Sequence, residues 1–431
     1  MAHTLLLLTL LLQSNVLAQT PGETSDVHHK LQTWKCSKTD GCVSQDTAIV
    51  IDSLSHSIHK VGDSSVSCDD GDNTPNAELC PDKETCATNC VIEGIVDYST
   101  RGITTDRDIL TLAMLSANGS VLSPRVYLLA PDEEKYEMLY LTGNEFSFDV
   151  DVSKLPCGMN GALYLDEMEE DGGKSTLNTA GPAYGTGYCD AQCYTRSFIN
   201  GEGNVDGMGA CCNELDIWEA NVRATQIAPH PCNVTGLFGC TGDECASNGV
   251  CDKGGCSINS YRTNTTFYGP EATVDTSRPF TVVTQFPASD NGTLLAYRRR
   301  YIQDGAVIQD VEVSGYPNGM DQEYCAATGP AQYTQLGGTA GMGESMARGM
   351  VLAMSIWWDT SEGHMGWLNS DGAGPCSNNE SDPTFIQQIQ PDTRVLFSQI
   401  KWGEIDSTYS VSGGLNDTTS PGGNVNRRGY I

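Results

Sequence analysis

The chain has 431 residues, of which 55 are Asp or Glu against 24 Lys plus Arg, for a formal charge of −31. A field of that sign repels nucleic acid and anionic membranes, and suits a neutral polymer as partner. Forty-six glycines and many short alternating runs read as an all-β chain, and eighteen cysteines read as cross-links.

Residues 1–18 read as a secretory leader. Leu5 to Leu8 and Leu10 to Leu12 form its apolar stretch, and Val16 and Ala18 supply the small residues before a cut at Gln19. Its n-region is atypical, with His3 and the amino terminus as the only candidates for positive charge. The stretch is too short to span a bilayer, and no other segment comes close. Export predicts oxidised cysteines paired in nine disulfides. Close pairs such as Cys36/Cys42, Cys80/Cys86, Cys189/Cys193 and Cys211/Cys212 have a second reading as metal ligands. Few nearby His or Cys complete a tetrahedral set, so no metal and no organic cofactor are expected. Sequons at Asn118, Asn233, Asn264, Asn291, Asn379 and Asn416 mark surface loops of an exported chain.

Taken along the chain, strands are predicted at Arg125–Leu129, at the alternating Phe146, Phe148, Val150 and Val152, and at Ala162–Leu165. Further strands are predicted at Phe280–Phe286, Leu294–Ile308, Met350–Trp357 and Thr393–Trp402, with turn-rich stretches between them. Only Gly341–Gly349 reads as helix. There is no internal repeat and no interdomain linker, so residues 19–409 form one domain. The Gly-, Ser-, Asn- and Thr-rich segment 410–431 reads as a flexible tail.

In the middle lies Glu214-Leu215-Asp216-Ile217-Trp218-Glu219. On a strand, successive side chains alternate faces, so Glu214 and Asp216 share one face and Leu215 and Ile217 the other. Glu219 has the wrong parity to join them unless the strand bulges or ends near Trp218. About one such acid spacing is expected by chance in a chain this acidic, and a solvated strand face is the plain alternative. The setting weighs against it. Cys211-Cys212-Asn213 before and Ala220-Asn221 after place the acids on a cross-linked, apolar segment, where charges need a reason. Three carboxylates on one wet face suit cleavage of a glycosidic bond. One attacks, a protonated one hands its proton to the leaving oxygen, and a third adjusts their protonation.

At Tyr188-Cys189-Asp190-Ala191-Gln192-Cys193, at Cys211 to Asn221 and at Pro229-His230-Pro231-Cys232, the chain closely resembles glycoside hydrolase family 7, the secreted cellulases of fungi and some protists. The resemblance runs from about Gln19 to Tyr409. It implies a concave β-sandwich of jelly-roll type whose long disulfide-linked loops form a cellulose-binding groove, and a retaining mechanism. On that match Glu214 is the nucleophile, Asp216 its modulating neighbour, hydrogen-bonded to it, and Glu219 the acid/base. His230 falls where the family keeps a histidine beside the acid/base, with a structural histidine in a proline-rich turn as the alternative. Tyr164, Asp190 and Gln192 match positions lining the cleavage site, and Trp357 and Trp367 match sugar-stacking platforms on either side of it. Trp358 has the opposite parity and is expected in the core, with Trp34 and Trp402 structural. The resemblance also implies the pairs Cys36–Cys42, Cys68–Cys90, Cys80–Cys86, Cys157–Cys376, Cys189–Cys212, Cys193–Cys211, Cys232–Cys251, Cys240–Cys245 and Cys256–Cys325.

The departures from the tunnel-forming members are informative. Those carry two tryptophans after the Val-Ile-Asp strand, where this chain has Ser53-Leu54-Ser55-His56-Ser57. Between Cys245 and Cys251 the chain keeps a short connection, and after Trp367 it runs only through Asn369-Ser370-Asp371-Gly372-Ala373-Gly374-Pro375 to Cys376, without the family's arginine. Each loss opens the groove, and the pattern resembles the endoglucanase branch. The implied activity is internal hydrolysis of β-1,4-glucan by a monomer that binds cellulose and related glucans, neither nucleic acid nor membrane, and has no separate carbohydrate-binding module in its tail. A cellobiohydrolase, a non-catalytic lectin on the same sandwich and a disulfide-rich structural protein are the competing readings.

Overall fold

The computed structural model describes residues 20–317 and 319–410. The leader at 1–18 and the tail beyond Ser410 lie outside them, as does the sequon at Asn416. Two large, mainly antiparallel sheets stack as a sandwich. In the first, Asn144–Asp151 is flanked by Phe280–Gln285 on one side and Arg394–Glu404 on the other. Its alternation has a direct cause. Phe146, Phe148 and Val150 point into the core, where Phe148 meets Phe397 and, from the opposing sheet, Trp218, each at a ring separation of 6.0 Å.

The second sheet runs Ala48–Ile51, Arg125–Leu129, Met350–Trp358, Met159–Asp166, Glu214–Ala220 and Thr225–His230, with short edge strands beyond. Its central strands are buried on both faces: every residue of Met159–Asp166 and of Glu214–Ala220 is buried, the three acids of the latter included. One face meets the sandwich core. The other carries a smaller cluster of Val50, Tyr127, Tyr164, Tyr188, Val351 and Ala353, roofed by cross-linked loops.

The predicted strands are present, with two corrections. Leu294–Ile308 is a hairpin, Ala296–Gln303 and Ala306–Gln309, turning at Asp304 and Gly305, which both have positive φ (53° and 79°). Helix is also more frequent than the single segment expected. Besides Gly338–Arg348 there are Lys83–Asn89, Gln322–Thr328 and Pro383–Ile389. Asp82, Asp321 and Asp382 cap these by accepting from the backbone N–H of Thr85, Tyr324 and Thr384. Helices of two turns show no apolar period, so the caps were the only available signal. Trp358 and Trp402 are buried, as expected.

All eighteen cysteines are paired, in the nine combinations that the resemblance implied. The sulfur clusters Cys80/Cys86/Cys90 and Cys193/Cys211/Cys240 are places where two bridges pass close, so those sulfurs carry no thiolate for a metal. Among the described residues no helix is long and apolar enough to cross a membrane. Five sequon asparagines, Asn118, Asn233, Asn264, Asn291 and Asn379, are exposed. Replacing Cys193 and Cys211 together by serine is expected to lower stability by about 3 kcal/mol, the value for a loop of this length. A denaturant titration of the double variant against wild type measures it.

Candidate active site

The strand Glu214–Ala220 continues past Trp218 and contains a bulge, the first of the two ways in which Glu219 could join the other acids. On one side Leu165 faces Leu215 and Leu163 faces Trp218, so Asp216 and Ile217 together oppose Tyr164. On the other, Asp216 faces Ala228 and Glu219 faces Gln226. Ile217 and Trp218 are both fully buried in the core. Two successive side chains therefore turn inward and the alternation resets, which brings Glu219 onto the face of Glu214 and Asp216. A bulge leaves a ladder carbonyl unpaired. Here the guanidinium of Arg299, reaching across the core from the opposing sheet, donates to the Ile217 carbonyl, and its Cζ lies 5.6 Å from the Trp218 ring.

The loop 188–193 is pinned against this strand. Cys189–Cys212 and Cys193–Cys211 cross-link the two, and the Cys212 N–H donates to the Asp190 carbonyl at 3.1 Å. The loop thereby presents the Ala191 N–H, which donates to Glu214 Oε2 at 2.9 Å. Glu219 is held differently. The side-chain amides of Asn160 and Gln226 donate to its Oε1 and Oε2, each at 2.9 Å. The expected hydrogen bond from Asp216 to Glu214 is not formed. Asp216 instead pairs with His230 Nε2 at 3.0 Å, while His230 Nδ1 donates to the Asp252 carbonyl at 2.9 Å. His230 lies directly opposite Glu214 on the neighbouring strand, while Asp216 faces Ala228 two residues along on the same face, so the imidazole meets Asp216 diagonally. Gly255 makes room for it, since a Cβ there would meet the imidazole Cε1 at 2.5 Å.

The three carboxyls are 7–8% exposed. Burial, then the Asp216 charge, pushes Glu219 up to about 8, and burial with the Asp216 and Asp190 charges pushes Glu214 well above its usual range. Burial pulls His230 down, but the Asp216 hydrogen bond and charge outweigh it and raise the imidazolium to about 10. The cluster therefore holds a cation against its acids, and its protons leave in steps that belong to the group as a whole. Glu219 has the properties of a proton donor at mildly acidic pH.

The remaining expected residues have the following contacts. Tyr164 follows Ala162 on the site face, with its hydroxyl 3.3 Å from that of Tyr188. Asp190 accepts from the Gln192 and Cys193 backbone N–H groups, and the Gln192 amide donates to the Lys253 carbonyl, so both also fix the loop. Trp357 and Trp367 do not flank the site as expected: their rings stack on each other, 6.2 Å apart and 28° from parallel, as one aromatic patch with Trp367 41% exposed. Sequence reasoning missed Asn160, Gln226 and Arg299. Asp52 accepts from Arg125 at 2.8 Å and from the Tyr127 hydroxyl, and Arg125 and Arg196 lie against the Tyr188 ring. Alternation along Arg125–Leu129 could have flagged Arg125 and Tyr127 as one face.

A buried acid that keeps its proton, placed by a bulge on the same face as a second carboxyl with its own donor, is the equipment of a glycoside-cleaving enzyme. The chain belongs to glycosyl hydrolase family 7, whose sequence profile matches residues 21–409. It is 54% identical to a protein named probable endo-beta-1,4-glucanase celB from Aspergillus terreus, over 93% of this chain and 97% of that one. The native structure of the Humicola insolens endocellulase EGI superposes with a TM-score of 0.88 at 53% identity, covering 90% of this chain and all of that one. A family 7 cellobiohydrolase from Daphnia pulex superposes with a TM-score of 0.83 at 35% identity, covering 90% and 100%.

Because the Gln226 amide favours ionised Glu219, Gln226→Leu is expected to raise the acid's pKa and move the alkaline limb of kcat/KM to higher pH. A pH–rate profile of the variant checks the sign.

Proposed function

We propose that this protein is a secreted endo-β-1,4-glucanase that cuts internal bonds of cellulose and related neutral β-glucans by retaining double displacement, with Glu214 as nucleophile, Glu219 as acid/base and Asp216 as the group that ties His230 to the pair. The observation that carries the reading is the bulge, which gives two glutamates one face and different donors. In the first step Glu214 attacks the anomeric carbon while Glu219 gives its proton to the departing oxygen, leaving a glycosyl ester. In the second, Glu219 takes a proton from water, which attacks the same carbon and frees Glu214. Retention requires the two carboxyl groups to lie roughly 5–5.5 Å apart. The Asp216–His230 pair offsets charge near the site while the Glu214 charge disappears and returns.

Export is supported by the leader-like residues 1–18, the nine disulfides and the exposed sequons. The neutral polymer as substrate is supported by the stacked Trp357 and Trp367, and a monomer is the working state we assume. The endo mode is supported by the short stretches after Asp52, between Cys245 and Cys251 and after Trp367, and by identity that is higher to endoglucanases than to a cellobiohydrolase.

Glu214→Gln is expected to abolish turnover and Glu219→Gln to cost ~10²–10⁴-fold, with Asp216→Asn costing less. An activated aryl cellobioside, whose leaving group needs no proton, separates the two glutamates. The Glu219 variant still forms the intermediate in a burst, and the Glu214 variant does not. Mild, equal losses would count against the roles. With carboxymethyl-cellulose, viscosity is expected to collapse while few reducing ends have formed. Viscosity falling only in step with reducing ends, with cellobiose dominant from the start, would make the enzyme a cellobiohydrolase.

A further inference from the structure

A fourth carboxyl stands behind the pair. Asp166 closes the strand Met159–Asp166 and is the direct cross-strand partner of Glu214, on the same face, with Val351 on its other side. Directly opposed side chains in an antiparallel pair have Cβ atoms about 4.5–5.5 Å apart. Asp166 is fully buried, and neither of its carboxyl oxygens has a hydrogen-bond partner. An ionised carboxylate without a donor in such a place is prohibitively costly, whereas a neutral acid leaves only one O–H in need of an acceptor. The groups facing it are Glu214 and Asp216 on the neighbouring strand, Asp190 on the pinned loop, Arg125 from the strand two places across, and the hydroxyls of Tyr164 and Tyr188. Three of these are acids, and Arg125 is already engaged by Asp52 at 2.8 Å.

We infer that Asp166 is a positioning residue that keeps its proton throughout the cycle and offers the O–H to the Glu214 carboxylate from the side away from substrate. The inference rests on Glu214 being the nucleophile. No bond to Asp166 forms or breaks. Its O–H favours the charged form of Glu214, before attack and again as the ester opens, and loses most of that interaction while Glu214 is esterified. A neutral donor suits this place better than another cation, because the surrounding acids need no further charge to balance when Glu214 becomes neutral. Asp166 thus helps set the pH at which the nucleophile is lost to protonation.

The test follows the rate of covalent trapping by an activated 2-deoxy-2-fluoro-β-cellobioside against pH, which reads the ionisation of the nucleophile without the acid step. Asp166→Val, apolar, of similar size and without a donor, is expected to move the acidic limb up by about one pH unit, the scale for losing one hydrogen bond to a charged group. Asp166→Asn, which keeps an N–H donor, is expected to leave that limb in place. Asp166→Ala reads the same loss of donor where valine crowds the site, and thermal midpoints establish that each variant is folded. An acidic limb unmoved in the donor-less variants would overturn the inference, as would a limb moved down in Asp166→Asn, which would make Asp166 an anion in the wild type. Peptide mapping of the trapped wild type separates the two levels: a label elsewhere than Glu214 overturns the nucleophile assignment itself.

Discussion

One extra residue in one strand carries the chemistry of this molecule. Without the bulge at Ile217–Trp218, Glu219 would point into the sandwich core and Glu214 and Asp216 would face the loops alone. The irregularity is built in from three directions. Ile217 and Trp218 bury two consecutive side chains in the core, Arg299 reaches from the opposite sheet to satisfy the carbonyl that the bulge strands, and two disulfides tie the start of the strand to the loop above it. A bulge held on both faces and at one end cannot relax without giving up core packing, a buried hydrogen bond or a cross-link.

The same rigidity makes the electrostatics affordable. Buried acids close together resist ionisation, and the observed arrangement answers with specific partners rather than with solvent: a backbone N–H for Glu214, two amides for Glu219 and an imidazolium for Asp216. Each partner comes from a neighbouring strand or a pinned loop, so the acids sit in environments that do not interchange. Gly255 is part of the same device, since any side chain there would push His230 off Asp216. The groups are preorganised before substrate arrives, which is where electrostatic catalysis takes its advantage.

Membership of glycosyl hydrolase family 7 accounts for the sandwich, which superposes on endoglucanase and cellobiohydrolase structures alike. Loops over a rigid double sheet can shorten without disturbing the core. The seven residues Asn369–Pro375 and the serines that follow Asp52 lie outside the strands of the sheet, which stays continuous from Ala48–Ile51 to Thr225–His230.

Much of this was legible in the residues themselves. Alternation at Phe146, Phe148 and Val150 located a central strand because one face of that sheet packs on the core and the other does not. The clash of parity within Glu214–Glu219 called for a bulge or a strand end near Trp218, and the family resemblance implied the partners of the cysteines. What the sequence could not supply was the identity of neighbours across the sheet. Asp216 meets His230, Asn160 and Gln226 converge on Glu219, and Asp166 stands directly opposite Glu214, because register between strands separated by tens of residues decides which side chains meet. Local pattern specifies which face a residue takes. Only the closed sandwich, by fixing register through its bulge, bridges and core, specifies which other residue it finds there.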